Sequence, residues 1–341
     1  MTDRAILQQD FIANTDWADA SIAPLAGDAS NRRYLRLGHA DRGETAVLMD
    51  APPQKGEDVR PFVHIARYLT GLGLSAPRIL AEDTENGFLI LEDLGDALFA
   101  RVIPNDARLE LPLYTAATDL LAELHRHAPP PDLARYSPNV MADMAALAFD
   151  WYQLGVAGDI GAGRPAFHAA IKTALDTHAS AADVLVQRDY HAENLLWLPD
   201  RTGVARVGLL DFQDAMLGHR AYDLVSVLQD ARRDVPPAIQ HAMITRYIDR
   251  SGADPETFET AYACLGAQRN LRILGVFARL CMRDGKAHYV DLIPRVWAHL
   301  ERDLSHPEMA PVAEIVRAAL LPPTPIILQR LKDQCPSHPT R

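Results

Sequence analysis

The chain has 341 residues, of which 48% are hydrophobic and 23% charged, and carries a formal net charge of −11. This composition suits a protein that buries a core. The acidic balance, with no basic tail or stripe, excludes a general nucleic-acid binder while leaving room for a local cationic pocket.

The start, MTDRAILQQDF, is polar and acidic with no apolar segment, so no signal peptide is expected. No uninterrupted apolar run is long enough to span a bilayer, since AALLPPTPIIL is broken by prolines. The three cysteines, Cys264, Cys281 and Cys335, form no CxxC pair, which points to a reducing compartment. A cytoplasmic protein is expected, without a membrane or nucleic-acid partner. No repeat at solenoid or propeller period is present.

In chain order, residues 31–37 (NRRYLRL) and 45–50 (TAVLMD) read as two strands joined by a turn between Gly38 and Gly43. Residues 57–73 read as a helix, with Phe62, Ile65, Ala66 and Leu69 on one face and Gly71 and Gly73 at its end. Residues 77–83 and 87–93 read as a hairpin turning at Asn86-Gly87. From about 105 to 330 the pattern is mostly helical; the run 113–128 repeats apolar residues at helical spacing until the prolines at 129–131 end it. The proline-rich tail, PPTPIILQRLKDQCPSHPTR, is expected to fray. The expected class is α+β: a small antiparallel-sheet lobe over 1–94, a connector near 91–95, and a larger helical lobe over 95–341. Such a division commonly frames a small-molecule site.

The chemistry concentrates in QRDYHAENLLWLPD, residues 187–200, and VGLLDFQDAMLGHRAYDLVSVLQD, residues 207–230. The apolar run Val184–Val186 leads to Asp189, and Val207 to Leu210 deliver Asp211 to the end of a buried strand. Asp189, Asn194 and Asp211 are expected to converge. A lone Asp-x-x-x-x-Asn occurs by chance, but a following strand that ends in Asp211-Phe212-Gln213-Asp214 makes the combination far more specific.

On these residues, together with Tyr222-Asp223-Leu224, the chain resembles the aminoglycoside-phosphotransferase-like branch of the protein-kinase-like fold. The resemblance covers nearly the whole chain. It implies an ATP-dependent phosphotransferase with an alcohol acceptor, in which alignment and charge neutralisation do most of the work. Asp189 would accept or orient the proton of the attacking hydroxyl. Asn194 and Asp211 would hold Mg²⁺ through hard oxygen ligands. His191 and Glu193 would brace the loop.

The resemblance also assigns LAGDASNRRYLRL, residues 25–37, to the phosphate-covering turn, where Ser30 and Asn31 would approach the phosphates. LILEDLGD, residues 89–96, would be the connector whose backbone meets the adenine edge, at Glu92 and Leu94. The family usually carries a phosphate-binding Lys on the second strand, where Met49 stands here. Arg33 or Arg36 could replace it; alternation lets only one of them face the site, and Arg33 is the expected one. The partner acid is open, Glu57 being one candidate and equally a first-turn acid.

Within the branch, MDAPP (49–53), RPFVHIARYL (60–69), LEDLGD (91–96) and residues 211–232 resemble the anomeric sugar kinases that act on N-acetylmuramate and N-acetylglucosamine in cell-wall recycling. Met in place of Lys belongs to that resemblance. It implies a small-molecule sugar as substrate and an α-1-phosphate as product; a monomer is expected. Arg269, Arg272, Arg279 and Arg283 recur at spacings of three, seven and four, and so line one helix face. Arg269 or Arg272 could bind the lactyl carboxylate of N-acetylmuramate, and Asp214 could touch sugar hydroxyls. The alternatives for the stripe are solvent or pairing with Asp284 and Asp230. The alternatives for the protein are an aminoglycoside or choline-like kinase, and a non-catalytic nucleotide-binding module.

Overall fold

The computed structural model describes residues 4–25, 31–39 and 41–336. Its elements begin with α1 (Arg4–Ala13), β1 (Ser21–Pro24), β2 (Arg33–His39), β3 (Glu44–Asp50), α2 (Arg60–Gly71), β4 (Ile79–Asp83), β5 (Phe88–Glu92), α3 (Phe99–Asn105) and α4 (Glu110–Leu124). They continue with α5 (Pro138–Ala145), α6 (Leu154–Ala157), α7 (Arg164–His178), β6 (Val184–Val186), β7 (Leu195–Trp197), β8 (Val207–Leu209) and β9 (Met216–Gly218). The rest is helical: α8 (Tyr222–Leu228), α9 (Pro237–Ser251), α10 (Pro255–Met282), α11 (Ile293–Asp303), α12 (Ala310–Ala319) and α13 (Pro325–Lys332). Among the described residues no helix is long and apolar enough to cross a membrane.

The chain divides into two compact units, Met1–Leu120 with Glu193–Ala215, and Leu121–Ala192 with Met216–Arg341. A hairpin returns to the first unit: β7 and β8 pair with each other, the Trp197 N–H donates to Ala97 O at 2.8 Å, and the Leu209 N–H donates to Ser75 O at 2.9 Å. Those backbone bonds hold 193–215 in the first unit.

The first unit is built on an antiparallel sheet in the order β1-β2-β3-β5-β4. Successive side chains of β2 and β3 point to opposite faces, while β5 is buried on both. One face buries Leu37, Ala46, Leu48, Phe88 and Ile90 together with Ile12 of α1 and Trp17. The β4–β5 turn is where the sequence placed it, with Gly87 at φ 74°, a left-handed conformation that suits glycine. Asp50, fully buried at the end of β3, takes Arg4 at 2.6 Å and the Nε of Arg33 at 3.0 Å, so that its charge is not left unpaired.

The second unit is organised around α10, which packs against α5, α7, α8 and α11 and is buried along most of its length. Its low amphipathicity follows, since a helix covered on all sides needs no polar face. At Gly275 the backbone of Leu147 comes so close that an added Cβ would lie 2.2 Å from its carbonyl carbon, so glycine is required there. The small β6–β9 pair lies in this unit and delivers the loop that carries Asp189.

Candidate active site

The Asp189 loop, in the second unit, is braced at both ends by buried carboxylates. Asp223, in the first turn of α8, accepts the N–H groups of Gln187 at 2.6 Å and Arg188 at 2.9 Å. Asp230 accepts the N–H of Ala192 at 3.2 Å and of Arg232 at 2.8 Å. Arg188 takes φ 71°, a left-handed backbone rare for a residue with a Cβ, and costs about 1–3 kcal/mol that these bonds offset. Burial pushes the Asp223 carboxyl up to about 7, against the two backbone donors that favour its charged form; the nearby Asp189 adds to the rise. His191 is buried, and burial lowers it to about 4, so it is neutral at pH 7.

Arg269 and Arg272, one turn apart on α10, both feel the Asp189 charge. Arg269 is 3% exposed; its Nη1 donates to Gln229 O at 3.3 Å, and its Nε has no hydrogen-bond partner among the described residues. Burial holds this guanidinium below its ordinary value, against the pull of Tyr222, Asp189 and Asp230. For Arg272 burial also acts downward, but Tyr222, Tyr136 and Asp189 outweigh it and hold the group above its ordinary value. Both remain cations at neutral pH. Tyr136 and Tyr222 meet edge-on with ring centroids 5.1 Å apart, and the Arg188 guanidinium lies 5.3 Å from the Tyr136 ring. The rest of the arginine stripe behaves differently: Arg283 pairs with Asp284 at 2.7 Å, and Arg279 lies within reach of both.

Asn194 and Asp211 meet in the first unit because the β7–β8 register places them at one end of the hairpin: the Leu210 N–H donates to Asn194 O at 3.0 Å. The Asn194 amide is 3.5 Å from Asp211 Oδ2, and Gln213 donates to Asp211 Oδ1 at 2.7 Å. Asp211 has φ 58°, the other non-glycine residue in the left-handed region among those described. The next residue, Phe212, is fully buried and stacks on Phe62 of α2 with centroids 4.8 Å apart, a pair worth about 0.5–1.5 kcal/mol beyond its burial. Asp214 is exposed in the same segment.

The remaining first-unit candidates are placed as follows. Ser30 lies outside the described residues, while the Asn31 N–H donates to Glu57 at 3.1 Å and its side chain to Lys55 O at 3.3 Å. Glu92 donates its N–H to Arg78 O at 2.8 Å, and its carboxylate accepts from Arg201 at 2.8 Å and Arg78 at 3.2 Å, so it anchors the connector. Leu94 is buried and packs on Gly208 of β8. Arg33 corrects an expectation. The β2–β3 register pairs it with Asp50, on the face of Ala46 and Leu48, whereas Met49 pairs with Tyr34 on the other face. Alternation did limit the choice to one face; the contact with α1 decided which face is the interior.

The structure thus gathers Asp189, Arg269 and Arg272 in one unit, and Asn31, Glu92, Leu94, Asn194, Asp211 and Asp214 in the other. The bracing by Asp223 and Asp230 was missed in the sequence, although Tyr222-Asp223-Leu224 stood out as a motif; a carboxylate two residues into a helix gives no hint that it reaches back to a loop 35 residues earlier.

Comparison with known proteins agrees with this architecture. Residues 21–259 match the model of the Phosphotransferase enzyme family. The N-acetylmuramate/N-acetylglucosamine kinase of Caulobacter vibrioides is 39% identical, with 91% of this chain and 94% of that protein covered. The protein of the same name from Pseudomonas aeruginosa is 36% identical, with 87% and 88% covered. Among solved structures, an ADP-bound aminoglycoside phosphotransferase superposes with a TM-score of 0.57 at 13% identity, covering 88% of this chain and 97% of that one. An ethanolamine kinase of Plasmodium vivax gives 0.56 at 12% identity, covering 95% and 87%. The chain belongs to the phosphotransferase enzyme family, and its fold is the α+β protein-kinase-like fold. Its reaction class is phosphoryl transfer from ATP to an alcohol.

Proposed function

We propose that this protein phosphorylates the anomeric hydroxyl of N-acetylmuramate and N-acetylglucosamine, using ATP and Mg²⁺ to form the sugar α-1-phosphate in peptidoglycan recycling. The observation that carries the reading is the pair of cations, buried Arg269 and half-buried Arg272, within electrostatic reach of Asp189. A polycationic aminoglycoside would be repelled there, whereas a sugar bearing a carboxylate is matched in charge. The name shared by the relatives from Caulobacter vibrioides and Pseudomonas aeruginosa supports the same substrates.

Asp189 receives the hydrogen of the attacking hydroxyl, and the bracing of its loop by Asp223 and Asp230 holds the carboxylate in one orientation. Arg269 and Arg272 bind the lactyl carboxylate and position the ring; Asp214 contacts sugar hydroxyls. Asn194 and Asp211 offer a neutral oxygen and a carboxylate, a hard-oxygen set that suits Mg²⁺ when phosphate oxygens and waters complete the shell. Mg²⁺ supplies neutralisation of the charge that builds on the β- and γ-phosphoryl oxygens. Leu94 and the connector backbone hold the adenine, with Glu92 as anchor, and Asn31 covers the phosphates. The reading has the enzyme acting in the cytoplasm as a monomer.

The test is ADP release with N-acetylmuramate, N-acetylglucosamine, kanamycin and choline, each with and without excess EDTA. Turnover with the two sugars alone, abolished by EDTA, is the expected result. Turnover only with kanamycin or choline would overturn the substrate assignment and keep the reaction class.

A further inference from the structure

We infer that Arg32, held by Glu57, is the cation that binds the ATP phosphates in place of the lysine that Met49 displaces. Directly opposed residues of an antiparallel pair share a face. The register Tyr34↔Met49 and Arg36↔Val47 therefore puts Tyr34 and Arg36 on Met49's face, and continuing the alternation to the residue before β2 adds Arg32 to them. The interaction of Arg32 with the Tyr34 side chain agrees with that placement.

The three arginines of this stretch, each paired with a carboxylate, differ in where they sit. Arg33 is on the opposite face with Asp50. Arg36 is neutralised twice at the connector, by Asp93 at 2.7 Å and Asp96 at 2.9 Å. Arg32 pairs through Nε with Glu57 at 2.8 Å, and the two side chains are only 15% and 12% exposed. Burial acts to lower the Arg32 guanidinium, but the Glu57 bond and Tyr34 outweigh it and keep it above its ordinary value. The result is a fixed, shielded cation on Met49's face.

Its surroundings are those that a phosphate-binding cation needs. Glu57 also accepts the N–H of Asn31, so one carboxylate fixes both the arginine and the end of the segment proposed to cover the phosphates. Five residues past Glu57, Phe62 stacks on Phe212, the neighbour of Asp211. Arginine suits the task because its planar fork matches phosphate oxygens in pairs. A carboxylate-held cation in this fold normally comes from a strand lysine and a helix glutamate; here both partners come from the segments flanking those elements.

The inference rests on ATP as the phosphoryl donor. The experiment measures binding of ATP, ADP and adenosine to the full chain by calorimetry, for the wild type, Arg32→Gln, Arg32→Lys, Glu57→Gln and Arg33→Gln, with thermal melting of each. Arg32→Gln is expected to weaken ATP and ADP about tenfold or more and to leave adenosine unchanged. Arg32→Lys should recover part of the loss, and Glu57→Gln should show a smaller phosphate-selective loss. If Arg32→Gln does not fold, the ATP-to-adenosine ratio in Arg32→Lys and Glu57→Gln carries the test. Unchanged ATP binding in these variants overturns the inference alone, as does an equal loss for adenosine, or a phosphate-selective loss in Arg33→Gln instead. A wild-type protein that binds no ATP overturns the donor reading with it.

Discussion

Asp223 accepts the main-chain N–H groups of Gln187 and Arg188 and so ties the start of α8 to the two residues that precede Asp189. The carboxylate is fully buried, and removing it leaves the buried Gln187 donor unmet, at about 1–3 kcal/mol, and the part-buried Arg188 donor as well. Asp223→Ala should therefore lower the melting temperature and, by letting Asp189 drift, lower kcat on the order of a hundredfold. Asp223→Asn keeps one acceptor oxygen and should fall between. Steady-state kinetics with thermal melting checks both; full kcat in Asp223→Ala would show that the brace has no part in turnover.

Asp189→Asn preserves shape and removes the proton acceptor. The expected loss in kcat is about 10²–10⁴-fold, with the ATP affinity close to wild type, because the phosphate and metal groups assigned here lie elsewhere in the chain. Calorimetry and single-turnover kinetics together separate the two effects. Near-full activity would remove Asp189 from the reaction.

Arg269→Ala and Arg272→Ala should discriminate between the two sugars. Only N-acetylmuramate has a carboxylate, so its KM should rise about tenfold or more over any change for N-acetylglucosamine, the scale of a lost charge-assisted hydrogen bond. Equal losses on both sugars would mean that the arginines hold the structure and do not read the substrate.

Stability should rise with pH between about 4 and 6.5. Burial lowers His125 to about 3 and His191, His219 and His299 to about 4, from an ordinary value of 6.5. In that window the unfolded chain binds more protons at these sites than the folded one, so their contribution is full above 6.5 and is lost on acidification. Asp223 and Asp303, both pushed up to about 7 by burial, act oppositely: the folded state holds their protons, and their contribution is lost as pH rises towards 7. Four histidines against two carboxylates leave a net gain with pH. Melting curves at pH 4.5 and 6.5 should show the higher temperature at 6.5; the reverse order would contradict the account.

The motifs that define the family were legible because their spacing is local: Asp189 and Asn194 sit in one loop, and a short apolar strand delivers Asp211. The Asn86-Gly87 turn and the arginine stripe of α10 were legible for the same reason. Arg33 was misplaced because strand alternation gives two faces without saying which is the interior; that choice comes from α1, whose Arg4 meets Asp50 forty-six residues away. The stripe hid its own division: pairing with Asp284, the residue next to Arg283, could be read in the sequence, but the nearness of Asp189 to Arg269 and Arg272 does not follow from helical spacing. The membership of 193–215 in the first unit depends on hydrogen bonds to Ser75 and Ala97, likewise beyond any local pattern.

The most direct test of the central claim is phosphorus NMR of the product formed from ATP and N-acetylmuramate with Mg²⁺. The account predicts one new monoester signal coupled to the anomeric proton, in the α configuration, and growing as the ATP γ signal falls. A phosphoryl group on any other hydroxyl, or loss of γ-phosphate only to inorganic phosphate, would contradict it.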